Sequence, residues 1–452
     1  MDFSKLAKSL NPYTIKKGFS YLKQYGFQEF KVRLSERFEK EEVDYNEWCK
    51  NDILTAEERK AQRERIWEYP PLISVVVPIY KTPEVFLRQM IESVTAQTYP
   101  HWQLCIADGS GDTAETKRIV DSYLSDKRIK YKILAENLGI ADNTNAAMEL
   151  ADGDYIALFD HDDLLSENAL YEVADRICKT GAEIVYTDED KVTSDLSERY
   201  QPNFKPDFNL DLLRSNNYIC HLLVVKKTLV QEVGGQKKEF DGAQDHEFLF
   251  RCVEKAKGIE HIPKVLYHWR CHEASTASNP QSKRYAYEAG QRALEDYCLR
   301  KGWKATVSGL KHLGFYREDY EDSVFCQRPE IGIWAKPLPG GRDVFGIRHP
   351  KGFLVSGLYE NDGSMRYAGL RKGYSGPMHR AALQQSAPAA DLRSMEVCSA
   401  LKERYAQTIA ELKEACQGLS TAAQETKILQ KSMEFCKEAT AAGYGILWDP
   451  QA

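Results

Sequence analysis

Short apolar runs alternate with helix-periodic segments through the middle of the chain. Ile73-Ser74-Val75-Val76-Val77, closed by Pro78, is a β-branched run of the kind that forms a strand buried on both faces. Phe86 to Thr95 repeats its apolar positions with a helical period, and Trp102 to Ala107 is a second strand, stopped by Asp108-Gly109-Ser110-Gly111-Asp112. A helix, a strand at Ile129 to Leu134 and another helix follow. Tyr155 to Phe159 is a further strand, stopped by Asp160-His161-Asp162-Asp163; Ser166 can cap the next helix, and Ile184 to Tyr186 is the next strand. Alternation of this kind predicts an α/β domain over residues 69–317, Rossmann-like, its sheet mainly parallel with helices on both faces.

The flanks read differently. Residues 1–68 are polar and helical, with Glu57 to Arg65 as a charged connecting helix. Up to Arg37 eight basic residues face three acidic ones, interleaved with Phe19, Tyr21, Leu22, Tyr25, Phe27 and Phe30. Such an arm suits peripheral contact with an anionic membrane; its alternative is a helical arm packed on the main domain. Residues 318–452 predict a smaller α+β domain. Gly and Pro are frequent from 329 to 375, and 394–442 reads as one or two long helices.

Composition narrows the class. At 452 residues the chain exceeds one compact core. Hydrophobic content of 42% with 28% charged residues is that of a soluble globular protein. A formal net charge of -6 argues against a nucleic-acid partner. Eleven cysteines with no C-x-x-C pair read as reduced thiols, hence a cytoplasmic setting. No stretch approaches the ~18 apolar residues of a membrane span, and no apolar signal-peptide core is expected to direct export.

Candidate chemistry collects at strand ends. In an open parallel sheet, ligands bind beyond the carboxyl ends of the strands. Pro78-Ile79-Tyr80-Lys81, Asp108-Gly109-Ser110 and Asp160-His161-Asp162-Asp163 all fall there. Three carboxylates in four residues repel one another unless a cation neutralises them, and hard oxygen ligands suit Mg²⁺ or Mn²⁺. The other reading is a solvated acidic loop.

The order and spacing of the motifs carry a resemblance. Val76-Val77-Pro78-Ile79-Tyr80, Asp108-Gly109-Ser110, Glu136-Asn137-Leu138-Gly139-Ile140 and Asn143-Thr144-Asn145 come first. Phe159-Asp160-His161-Asp162-Asp163, Tyr186-Thr187-Asp188-Glu189-Asp190-Lys191, Gly242-Ala243-Gln244-Asp245 and Leu266-Tyr267-His268-Trp269-Arg270 follow. From Ile73 to about Arg317 the chain resembles family 2 glycosyltransferases of the GT-A fold, particularly bacterial enzymes of surface-polysaccharide assembly. The resemblance implies a metal-dependent hexosyl- or deoxyhexosyltransferase. Its donor would be a UDP- or dTDP-sugar and its acceptor a lipid-linked or polymeric glycan. Pro78 and Tyr80 would line the nucleoside pocket and Asp108 would accept a hydrogen bond from the base. Gly139, Asn145, Asp160 and Arg270 would serve the nucleotide sugar. Asp162 would ligate Mn²⁺ or Mg²⁺, with His268 as a further ligand or else a satisfied strand-end histidine. Asp245 would be the catalytic base of an inverting transfer, or else a helix cap. Asp188, Glu189 and His246 are candidate acceptor contacts; a solvated turn is the other reading of the 188–190 cluster.

Two further classes remain open. One is a catalytically silent, carbohydrate-binding or scaffolding relative; Asp160, Asp162 and Asp245 together speak against such decay. The other is a sugar nucleotidyltransferase, but Val77-Pro78-Ile79-Tyr80 lacks the Gly-rich loop that cradles a triphosphate. Residues 441–450 look like the close of another family 2 domain. The stretch 310–452 holds no D-x-D and no Gln-Asp pair. It reads as a degenerate, noncatalytic second half, or as a helical domain of independent origin.

Overall fold

A computed structural model describes residues 45–50, 53–111, 114–272, 284–310, 313–335 and 391–448. Isolated pieces at 18–19, 22–23, 26–27, 30 and 357–358 are also described. The basic stretch read as a membrane-contacting arm lies almost wholly outside these residues.

Within the main domain, β1 (Ile73–Ile79), β2 (Trp102–Asp108), β3 (Ile129–Ile133) and β4 (Tyr155–Leu158) pair in parallel in the order β3-β2-β1-β4. The crossovers are α3 (Glu84–Thr95), α4 (Ala114–Asp121) and α5 (Ile140–Met148), preceded by α1 (Tyr45–Lys50) and α2 (Ala56–Glu64). The acidic turn leads through β5 (Leu164–Leu165) and α6 (Ala169–Thr180) to β6 (Ile184–Thr193). The hairpin strand β7 (Arg199–Asn203), α7 (Leu210–Ser215), β8 (Leu223–Lys226) and α8 (Lys227–Val233) follow. Then come α9 (Gln244–Lys255), β9 (Ile259–Cys271) and α10 (Arg284–Lys301). β8 lies antiparallel between β4 and β6, and β9 runs parallel to β6. The expected mainly parallel α/β sheet is present, with antiparallel β5, β7 and β8 added.

The alternation of β1 explains the two layers. Ile73, Val75, Val77 and Ile79 pack with Leu87, Met90 and Ile91 of α3 and Leu170 and Val173 of α6. Val76 points the other way, into a cluster with Ala147 of α5, Leu213 of α7 and Phe248 of α9. Both faces are therefore dry, which accounts for an apolar run without polar alternation.

The capping box of α2, Thr55 with Glu58, starts that helix, and Arg59 holds Glu167 through two 2.6 Å contacts. Residues 55–64 are thus a packed connector. β10 (Ala305–Gly309) and β11 (Tyr316–Tyr320) form a hairpin whose Val307 and Tyr316 reach the main core. After α11 (Val324–Gln327), a second sheet has the order β13-β15-β12-β14. Its strands are β12 (Ile331–Ala335), β13 (Gly357–Leu358), β14 (Met395–Val397) and β15 (Gly445–Trp448). α12 (Lys402–Ala415) and α13 (Thr421–Ala441) join its core through Leu412, Phe435 and Cys436. No described helix is long and apolar enough to cross a membrane.

Candidate active site at the carboxyl ends of the parallel strands

β1 and β2 end in register, Ile79 beside Asp108, and the acidic turn follows β4 on the other side of β1. The turns are tied together: Gly109 N donates to Ile79 O at 2.9 Å, and Lys81 N to Ser110 Oγ at 2.7 Å. Tyr80 stays 42% exposed beside half-buried Pro78, so an aromatic face is available at this edge. Asp108 is buried, and its carboxylate accepts from Ser110 N at 2.8 Å and Tyr131 Oη at 2.6 Å.

The four residues of the acidic turn have separate fates. Asp163 is buried and accepts from Arg270 N at 2.7 Å and from the Tyr267 hydroxyl. Arg270 is buried too. Its Nε donates to Asp162 O at 2.5 Å, its Nη1 to Ser194 O at 2.9 Å, and its guanidinium lies over the Phe86 ring. Arg270 therefore clamps the turn from behind, and its Nη2 has no hydrogen-bond partner among the described residues. Asp162 Oδ2 meets His272 Nε2 at 2.8 Å. Asp160 is only half-buried and faces His221: ligand atoms of Asp160, Asp163 and His221 lie within 4.8 Å of one another.

Charge is concentrated here. Desolvation, then the charges of Asp162 and Asp245, push the Asp160 carboxyl up, opposed by His221 and His161. Desolvation and the charges of Asp162 and Asp160 push Asp163 well up. Crowded carboxylates beside imidazoles are the donor set that a divalent cation would relieve. These residues fit such an ion.

Asp245 stands in the first turn of α9, where the helix dipole favours negative charge. Its Oδ2 accepts from Asn217 Nδ2 at 2.8 Å, and its charge is felt at Asp160 and Cys220. The acidic turn, His221 and Asp245 thus converge from β4, the loop before β8, and α9.

Other expected residues sit elsewhere. His268 matches its alternative reading as a satisfied strand-end histidine: Nδ1 meets Asp190 at 2.6 Å and Nε2 meets Ser166 Oγ at 2.9 Å. His246 is a core residue, 2% exposed, bonded through Nε2 to Leu213 O at 2.8 Å and packed on Phe250. Asp188 is buried against His261 and the Lys205 backbone, and Glu189 against Lys205 and Asn203. Asn145 spends both ends of its amide on the Gln236 backbone, at 2.8 Å each. Gly139 has φ +99°, and a Cβ there would lie 2.6 Å from Asp241 Oδ2.

Sequence reasoning missed His221, His272 and Asn217. For His272 a signal existed: two-residue strand alternation from His268 through Arg270 reaches it. His221 and Asn217 lie in an irregular loop whose neighbours are set by the fold alone.

The family described as Glycosyl transferase family 2 matches residues 74–233. It is 45% identical over 239 residues to an uncharacterized protein, y4gI, of Sinorhizobium fredii, covering 52% of this chain and 26% of that one. It is 34% identical over 272 residues to the O-antigen biosynthesis protein RfbC of Myxococcus xanthus, covering 59% and 21%. The chain thus spans about a quarter or less of the length of these two relatives. Among solved structures, S. aureus TarS 1–349 in complex with UDP-GlcNAc superposes with a TM-score of 0.43 at 16% identity, covering 82% of this chain and 92% of that one.

Proposed function

We propose that the protein is an inverting, metal-dependent glycosyltransferase. It would move a hexosyl or deoxyhexosyl group from a UDP- or dTDP-sugar to a lipid-linked or polymeric glycan in cell-surface polysaccharide synthesis. The observation that carries this reading is the cluster of Asp160, Asp163 and His221 beyond the end of β4, with Asp162 held by His272 and Asp245 near enough for its charge to act on Asp160.

In this reading Tyr80 and Asp108 bind the nucleoside, with Asp108 already oriented by Tyr131. Asp160, Asp162, His221 and His272 would hold Mn²⁺ or Mg²⁺, which when bound neutralises the departing diphosphate. Asp245, fixed by Asn217, takes the proton of an acceptor hydroxyl as that oxygen bonds to the anomeric carbon. The bond from that carbon to the diphosphate oxygen breaks, and the nucleoside diphosphate leaves with the electron pair. Attack from the face opposite the nucleotide inverts the centre. Residues 318–452 act as a noncatalytic second half in acceptor binding or assembly. The N-terminal arm keeps the enzyme peripheral on the cytoplasmic face of the membrane.

The test is transfer or hydrolysis across a panel of nucleotide sugars with and without Mn²⁺. Release of nucleoside diphosphate from at least one sugar is expected. Asp245→Asn should retain donor binding and lose about 10²–10⁴-fold in turnover, the usual contribution of general-base catalysis. Full turnover in that variant removes Asp245 as base.

A further inference from the structure

A lysine with no solvent exposure lies beneath this site. Lys205, just after β7, has its ammonium within reach of three acceptors: Ile219 O at 2.6 Å, His221 O, and Glu189 Oε2 at 3.2 Å. Its backbone N–H donates to Asp188 Oδ1 at 2.9 Å. Burying an ammonium is costly unless it is paired and hydrogen-bonded, and apolar replacements of buried ion pairs are often neutral or stabilising. A charge kept here calls for a reason beyond filling space.

The two carbonyls supply one. They flank Cys220, so a single side chain bridges the turn from Ile219 to His221. Cys220 has φ +31°, a left-handed conformation that a non-glycine residue holds only when its surroundings fix it. Beyond this turn the His221 ring stacks on Tyr267, at 4.6 Å between centroids, and faces Asp160 and Asp163. Two residues before Ile219, Asn217 holds Asp245.

We propose that Lys205 is a positioning residue: it fixes the 219–221 turn so that His221 faces Asp160 and Asp163, and Asp188 and Glu189 act by holding Lys205. The acidic cluster of β6 then serves the site from behind. The proposal rests on reading Asp160 and His221 as cation ligands.

The experiment measures Mn²⁺ binding directly, by the EPR signal of free Mn²⁺ with the full chain and no nucleotide sugar. Lys205→Met is compared with Lys205→Met/Glu189→Gln, which leaves no unpaired buried carboxylate, and with His221→Ala alone and in combination. Both Lys205 variants should weaken Mn²⁺ binding about 10–100-fold, as loss of a ligand's supporting contact does. In the His221→Ala background they should add nothing. Unchanged affinity in the double variant, or an equal loss without His221, would overturn the proposal. A second readout is the His221 imidazole ¹H–¹³C resonance, assigned by its loss in His221→Ala. It should move in Lys205→Met/Glu189→Gln. If the wild type binds no Mn²⁺, the cation reading fails by itself, and this resonance still decides: an unmoved signal refutes positioning by Lys205.

Discussion

Arg328 joins the second sheet to the main domain, and replacing it with methionine isolates one buried charge. Its Nη1 and Nη2 lie 2.5 and 3.2 Å from the two oxygens of Asp211, its Nε 2.6 Å from Glu330, and its guanidinium over Trp303. Asp211 is 2% exposed and keeps one other cation, Arg214, at 2.7 Å. Removing one partner of a buried pair costs about 3–5 kcal/mol when the other charge is left uncompensated. Arg214 remains, so the lower figure applies, about 3 kcal/mol. With an m-value of about 2 kcal/mol/M that moves the urea midpoint down by about 1–2 M. The pH dependence gives a sharper check. Burial alone would raise the Asp211 carboxyl, but the charges of Arg328 and Arg214 overcome it and hold the carboxyl below its ordinary value. A depressed carboxylate contributes stability that is present above its unfolded value of about 3.9 and lost as pH falls through the folded value. The gap between wild type and Arg328→Met should be widest at neutral pH and begin to narrow below about pH 4. Urea melts of the full chain from pH 7 to pH 3.5 read this directly. A gap independent of pH, or an Asp211→Asn/Arg328→Met double variant as unstable as the single one, would refute the reasoning.

Three other outcomes follow from the same geometry. Burial pushes the pKa of His246 and of His261 below the usual imidazole value, so the unfolded chain binds protons that the folded one refuses. Stability should fall as pH drops below about 6.5, by up to about 1.4 kcal/mol per pH unit per histidine, and His246→Leu should flatten the melting-temperature profile between pH 7 and 5. His272→Ala should weaken Mn²⁺ binding by isothermal titration, whereas His268→Ala should lower thermal stability; the reverse pattern would restore His268 as the ligand. Gly139→Ala must adopt φ +99° with its Cβ against Asp241, so a loss of about 1–3 kcal/mol is expected in chemical denaturation.

The sheet was legible because its information is local. β1 carries an unbroken apolar run since both its faces are covered, and the strand ends at Asp108 and Asp160 are marked by polar turns directly after apolar strands. The position of the site beyond those ends follows from the same pattern. Which carboxylate faces outward does not. Asp160 and Asp163 belong to one four-residue turn, yet Asp163 is drawn inward by Tyr267 and Arg270, more than a hundred residues away. No period or composition encodes that pairing.

The cluster at 188–190 extends the point. Three consecutive acids look like a solvated or substrate-facing turn, but all three lie in the interior of β6. Strand alternation should send one of the three to the opposite face. It does so: Asp188 and Asp190 meet His261 and His268 of β9, while Glu189 turns to Lys205 and Asn203. Each acid therefore needs its own distant cation or donor, and Arg199 and Tyr45 complete the set around Asp190. Burying so many charges is tolerable only because the partners are supplied together by β7, β9 and α1. The same supply ties α1 to the strand that backs the site. Truncation between α1 and α2 would thus leave Asp190 with His268 and Arg199 but without the Tyr45 hydroxyl, and would loosen β6 at the end nearest the candidate site.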